Sequence, residues 1–178
     1  GSEKISAFDD MSLVQLLVER GIDAVDELPS GIASSPEATA ETIESNLRKV
    51  IIEEHPVNPK YYDKMSALLE ALILERKRQA VEYAQYLAQL VDVAKQLHHP
   101  ASYPRTLDTR AKRALYDNLG SDEHLAVILD EEIRHTKKDD WRGNTFKERE
   151  VRNVIRRHIA DEEHVHRVFD LVWHQAEY

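Results

Sequence analysis

Two prolines three residues apart constrain this chain more than any other feature. In His55-Pro56-Val57-Asn58-Pro59, Pro56 pushes the residue before it out of the α region and stops a helix arriving from the N-terminal side. Asn58 then offers a side-chain cap, and Pro59 a pre-set first turn, for a new helix. Helical periodicity runs up to this joint, where Ile43, Leu47, Val50 and Ile51 form one stripe down to His55. It resumes beyond the joint, where Met65, Leu68, Leu69, Leu72, Ala80, Val81, Ala84, Leu87, Val91, Ala94 and Leu97 recur at helical spacing.

If unbroken to Leu97, the second stripe would make a rod about 60 Å long at 1.5 Å per residue. The charged run Glu75-Arg76-Lys77-Arg78-Gln79 interrupts it. The rod is then either a solvent-exposed bridge there or bent, and the absence of a Gly or Pro to kink it favours the exposed bridge. Elsewhere, Asp10 caps a helix carrying Leu13, Leu16 and Leu17 that stops at Gly21, and a short segment from Ile22 to Leu28 is closed by Pro29. Ser30-Gly31 and Ser34-Ser35-Pro36 make a surface connection, with Ser34 and Glu37 at capping-box spacing and Pro36 in the first turn.

After the loop through His99-Pro100 and Tyr103-Pro104, a helix from Asp108 to Leu119 ends at Gly120, and Ser121 caps one carrying Leu125, Ile128, Leu129 and Ile133. Thr145 with Glu148 forms a capping box for Phe146 to Ile159, and Asp161 caps a last helix with Val165, Val168, Phe169 and Val172. No segment alternates as a strand would. The expected fold is all-α, an irregular helical bundle of about seven helices with one long central helix or helix pair.

Gly1-Ser2 has the character of a cloning scar, which leaves residues 3–178 as a single domain of ordinary size, able to bury a core without metal or disulfide staples. With no cysteine there is neither a disulfide framework nor a Cys-ligated zinc site, as a reducing cytosol permits. No apolar run approaches the ~20 residues that span a bilayer, and no membrane association is expected. A net charge of −9 opposes coating the whole surface with nucleic acid. The charge is uneven, however: from Arg134 to Arg157 nine Lys/Arg face four Asp/Glu, a local +5, so the remainder carries −14.

Four stretches carry a likeness to a known family: Leu28-Pro29-Ser30-Gly31-Ile32, the block from Glu41 to Glu70, the run from Glu75 to Leu87, and Trp141-Arg142-Gly143-Asn144 with Lys147-Glu148. In them the chain resembles the C-terminal region of the R subunit of type I restriction-modification enzymes, ATP-dependent site-specific deoxyribonucleases. The resemblance implies a C-terminal helical domain of a longer polypeptide in a bacterial or archaeal cytoplasm. It implies as partners the rest of the R subunit and the methyltransferase core of modification and specificity subunits. ATP and Mg are implied only for the motor and nuclease domains, which lie outside this chain, and no cofactor is implied within it.

The family's catalytic motifs are missing from these residues. There is no Gly-x-x-x-x-Gly-Lys-Ser/Thr loop and no Asp-Glu-x-His box, and five glycines leave little from which to build a phosphate cradle. A restriction-type nuclease site needs acidic residues and a lysine on strands, and none is expected. No residue is assigned a catalytic role, and the chain alone is expected neither to hydrolyse ATP nor to cut DNA. Its expected work is assembly, docking the motor subunit onto the methyltransferase core, with room for auxiliary contact to duplex DNA.

The basic segment gives that contact a physical surface. On a helical wheel, Arg149, Arg152 and Arg156 share one face, while Val151, Val154, Ile155 and His158 share the other. Arginine forks match phosphate oxygens, and the helix start at Thr145 presents free N–H groups. Trp141 could add a stacking ring, and Arg142 and Asn144 polar contacts. With Lys147 and Arg157 these make the candidate DNA-binding set. The simpler expectation is that arginines on an acidic body pair with acidic neighbours.

A rival reading comes from Glu132-Ile133-Arg134-His135 and Glu163-His164-Val165-His166, which have the Glu-x-x-His spacing of ferritin-like di-metal carboxylate bundles. Glu44, Glu70 and Glu82 could supply the inward glutamates. The first motif lies at the basic end, where a dication is repelled, and the second lies beside a helix start. No metal ligand is therefore assigned.

Overall fold

A computed structural model describes residues 10–28, 35–78, 81–98 and 102–178. Among them the fold is all-α: eight α-helices, two 3-10 helices and no strand. The α-helices are α1 (Asp10–Arg20), α2 (Pro36–Glu54), α3 (Pro59–Lys77), α4 (Tyr83–His98), α5 (Arg110–Asn118), α6 (Glu123–Thr136), α7 (Thr145–Arg156) and α8 (Glu162–Trp173). The 3-10 helices are Gly21–Glu27 and His55–Val57. Gly1-Ser2, Pro29, the Ser30-Gly31 connection, Ser34 and the His99-Pro100 loop start lie outside the described residues.

Read as a single domain in sequence, the chain divides into two compact units. The first comprises Gly1–Glu54 and Tyr62–Ala101, the second His55–Tyr61 and Ser102–Tyr178.

In the first unit α1 packs against α2 and α4, and α2 against α4. The expected stripe is buried at Ile43, Leu47, Val50 and Ile51, facing Leu13, Val14 and Leu17 of α1's apolar side. The Oγ of Ser35 accepts from the Ala38 N–H at 3.0 Å and so caps α2. Arg48 forks onto both oxygens of Glu70 at 2.7 and 3.0 Å, tying α2 to α3. The buried Glu44 carboxylate accepts from the Tyr86 hydroxyl at 3.0 Å. Burial, and then that carboxylate, push the tyrosine pKa up.

The continuous rod does not form. α3 ends at Lys77, Arg78 lies in a turn and α4 starts at Tyr83, with Gln79 and Ala80 outside the described residues. Ending the helix in the charged run lets α4 bury Tyr86, Leu87, Leu90, Val91, Ala94 and Leu97. Each such burial stabilises by about 1.5–3 kcal/mol, against about 1 kcal/mol for each of the few helical hydrogen bonds lost at the break. The charges of the run stay at the surface, and Arg76 places its guanidinium 5.3 Å from the centre of the Tyr86 ring.

The second unit is a closed circuit of four helices: α5 packs on α6, α6 on α7, α7 on α8 and α8 on α5. Its core includes Leu115, Leu129, Ile133, Trp141, Val151, Val154, Ile155, Val168, Phe169 and Val172. α5 starts at Arg110 and not at Asp108, and Thr109 caps it, accepting from the Lys112 N–H at 3.2 Å. Gly120 and Ser121 both take left-handed backbone, φ 69° and 60°, after α5. That conformation turns Ser121 away from the capping position, and Asp122 caps α6 instead, accepting from the Leu125 N–H at 3.0 Å. Asp161 caps α8 as expected, through the Glu163 N–H.

The joint from His55 to Pro59 belongs to this unit. Asn58 is 8% exposed, and its Oδ1 accepts from the Tyr61 N–H at 3.3 Å, the cap anticipated at this position, and from Asn118 Nδ2 at 2.8 Å. Its own amide donates to Asp117 at 2.8 Å. Tyr103 donates to the same Asp117 oxygen, and burial beside that carboxylate pushes the tyrosine pKa up.

Candidate functional site

The loop before α7 and the first turn of that helix are built from residues that the sequence offered as DNA contacts, and four of the eight are bonded within the fold: Trp141 is buried, Arg142 and Lys147 are partly buried and Asn144 is exposed. Trp141 is 2% exposed. Its ring meets Phe169 edge-on at 6.0 Å, and its Nε1 donates to the Tyr178 carbonyl at 3.1 Å. The expectation of a stacking ring for a base is thereby corrected: no face of this indole is open.

Arg142 donates through Nε to the Trp173 carbonyl at 2.7 Å and through Nη2 to the Gln175 carbonyl at 2.5 Å. Its guanidinium lies 4.6 Å from the Trp141 ring and 5.8 Å from the Trp173 ring. Burial holds its pKa below the usual arginine value, but a guanidinium starts so high that it keeps its charge at neutral pH.

Gly143, at φ 83°, supplies the left-handed turn that aims its N–H at Glu148 Oε2, 2.5 Å away. Asn144 caps α7, accepting from the Lys147 N–H at 3.1 Å. The cap therefore lies one residue before the expected Thr145, and the Asn144 side-chain oxygen is engaged by the helix start while the residue stays exposed. Lys147 donates its Nζ to the Asp139 carbonyl at 2.7 Å.

Arg149, Arg152 and Arg156 lie on the face that the wheel predicts, opposite the fully buried Val151, Val154 and Ile155, and Arg157 follows the end of α7. Two of them are partly engaged. Arg152 lies 3.9 Å over the Phe169 ring, and Arg156 forks onto Glu162 at 2.9 and 3.2 Å. Among the described residues Arg149 has only the Phe146 ring, at 5.9 Å. Arg157 shows no side-chain partner among the described residues. The surface pair of Arg156 stabilises by only about 0–1 kcal/mol, so a phosphate could displace its carboxylate at little cost. His158 is not part of the buried stripe: α7 stops at Arg156, and the imidazole Nε2 meets Glu132 at 2.7 Å.

That contact also bears on the di-metal reading. Glu132 points to His158, whereas His135 turns its Nδ1 back to the Glu131 carbonyl at 2.7 Å. Glu44 and Glu70 are taken by Tyr86 and Arg48. Among the described residues, no three His, Asp or Glu are grouped to hold a metal ion.

Sequence reasoning missed the segment that closes the unit. Tyr178 donates its hydroxyl to Asp130, which is 1% exposed, and Asp130 takes the Arg134 Nε at 3.0 Å. Arg134 also reaches Glu177 at 3.2 Å and covers the Tyr178 ring at 5.2 Å. Glu177 in turn accepts the first N–H groups of α5, from Arg110 and Ala111, at 3.1 and 3.2 Å. Burial first, and then Asp130, push the Tyr178 pKa up. The available signal was Asp130 itself, a carboxylate set within the apolar stripe of Ala126, Leu129 and Ile133.

Among the described residues no helix is long and apolar enough to cross a membrane. No protein-family model, curated protein or solved structure matches the chain.

Proposed function

We propose that this chain is a non-catalytic helical assembly domain of the kind found at the C-terminal end of the R subunit of type I restriction enzymes. In this reading it docks an ATP-dependent translocase and nuclease onto a methyltransferase core. One observation carries the proposal: Phe146 is 75% exposed and Trp173 is 40% exposed in a unit whose remaining large side chains are mostly buried. α7 and α8 form a hairpin joined through residues 157–161, so the start of α7 and the end of α8 fall at one end of it. Each ring also has an arginine beside it, Arg149 and Arg142 respectively. Exposed aromatic and arginine side chains in company are the composition of protein-binding hot spots. Residues that carry the family likeness support the same reading, because Trp141, Arg142 and Asn144 bond this end of the hairpin together.

The test is capture of the purified full chain on an immobilised methyltransferase core. Phe146→Ser with Trp173→Ser should weaken capture by about thirtyfold or more, the effect of losing a hot spot, with an unchanged melting curve. Equal capture of both proteins, or none of either, would refute the docking face.

Auxiliary contact with duplex DNA is the finer part of the proposal, supported by Arg149 and Arg157, which have no carboxylate partner among the described residues. Arg149→Glu with Arg157→Glu should abolish salt-dependent retention of a duplex in a gel shift. Retention that ignores both changes would remove α7 from any such role.

A further inference from the structure

A cleft of about 380 Å³ opens in the second unit between the start of α3, the end of α5 and one side of α8. This volume falls in the range of small-ligand pockets. Its frame is preset by side-chain bonds. The Lys60 N–H donates to Asn118 Oδ1 at 3.2 Å, and Asn118 Nδ2 holds both Asn58 Oδ1 at 2.8 Å and the Ala114 carbonyl at 2.7 Å. Pro59, Val168 and Leu171 supply its apolar wall.

The charges around it are not balanced in their commitments. The Asp117 carboxylate already accepts from Asn58 and Tyr103, and Asp170 lies 3.9 Å from His174. Lys60, His164 and Arg167 also line the cleft. Their side chains have neither an ion pair nor a hydrogen bond among the described residues. Arg149, Arg152 and Arg157 likewise have no carboxylate partner among the described residues. Other cations find carboxylates: Arg48 with Glu70, Lys112 with Asp108, Arg134 with Asp130, Lys138 with Glu150 and Arg156 with Glu162.

Three basic groups left open around an apolar wall suit an oxyanion attached to a compact apolar or planar body. A guanidinium fork takes two phosphate oxygens, a lysine ammonium adds a point charge and an imidazole N–H adds a donor. We propose that the cleft binds a phosphate monoester, with the phosphate held by Lys60, His164 and Arg167 and the ester group against Pro59, Val168 and Leu171. The concave form favours a free monoester over a nucleic-acid backbone, whose phosphates are flanked by chain on both sides. The proposal does not depend on the docking role assigned to Phe146 and Trp173.

Titration calorimetry on the full chain tests it, using phenyl phosphate, adenosine monophosphate, inorganic phosphate, adenosine and a short DNA duplex. Saturable binding is expected for the two monoesters. Inorganic phosphate, which cannot use the apolar wall, should bind at least about tenfold more weakly, and adenosine not at all. Arg167→Ala and Lys60→Ala alter exposed side chains and leave the fold intact. Each should weaken monoester binding by about tenfold or more, the effect of losing a charge-assisted bond. Absence of monoester binding at millimolar concentration overturns the proposal, as does binding indifferent to both variants or binding of the duplex alone.

Discussion

Trp141→Ala should lower the unfolding free energy of the second unit by about 3–5 kcal/mol, the usual loss for a large aromatic removed from a core. The indole is 2% exposed and packs edge-on against Phe169. It is also the group on which Arg142 lies at 4.6 Å and the donor that holds the Tyr178 carbonyl. Truncation therefore opens a cavity and loosens both the arginine and the closing segment around it. The chain has two tryptophans, so Trp173 remains as a fluorescence reporter of urea unfolding in the variant. Phe146→Ala is the control: at 75% exposure it should change stability by no more than about 0.5 kcal/mol. A loss below about 1.5 kcal/mol for Trp141→Ala would mean that neighbours refill the space, against the rigid packing described above.

Raising the pH above about 10, where an unfolded tyrosine ionises, should unfold the second unit steeply. Tyr103 and Tyr178 are held neutral in the fold, first by burial and then by the carboxylates they donate to, Asp117 and Asp130. Their folded pKa values are raised, so the stability they contribute is complete below the unfolded value. It is lost as pH climbs toward the folded one, because only the unfolded chain releases those protons. Each retained proton costs about 1.4 kcal/mol of stability per pH unit, and two cost about 2.7. Tyr86, raised by burial and Glu44, places a similar term on the first unit.

Tyrosinate absorbance followed alongside far-ultraviolet circular dichroism measures this. The chain has seven tyrosines, and Tyr86, Tyr103 and Tyr178 should ionise only in a cooperative step that coincides with loss of helix. Tyr178→Phe should remove about half of the slope assigned to the second unit. Smooth titration of all seven near pH 10 with the helices intact would contradict the burial and bonding assigned to these three hydroxyls.

Element type was legible because proline, glycine and apolar period act locally. Pro56, Pro59 and the stripe from Ile43 to Ile51 are physical constraints that need no tertiary partner to operate. Helix starts were legible at Asn58 and Asp161 and otherwise to within a residue or two. Ser34 stands beside Ser35, Ser121 beside Asp122 and Thr145 beside Asn144, and each pair contains two competent acceptors. The choice falls to backbone geometry, as the left-handed Ser121 shows.

The charged run marked where α3 and α4 part, but not that the chain breaks there, since both halves keep helical periodicity. What decides it is the apolar surface that α4 finds on α1 and α2. The candidate site was legible as a charge pattern and illegible as a set of partners. Arg142 bonds to the carbonyls of Trp173 and Gln175, and Lys147 to that of Asp139. Backbone acceptors leave no trace in side-chain identity. Arg156 is the exception, because Glu162 six residues on was a visible partner.

The bond from Gln175 Nε2 to the Val57 carbonyl, 2.7 Å long, joins positions 118 residues apart. During translation at 5–20 residues per second, Val57 and Asn58 would leave the ribosome roughly 6–24 s before the residue that completes their surroundings is made. Within that interval α5, α6 and α7 are made in turn, and until α8 follows their apolar sides have no α8 to cover them. The four-helix circuit is thus a late-closing structure, with a nascent form that suits a holding chaperone and a maturation rate set by polypeptide elongation.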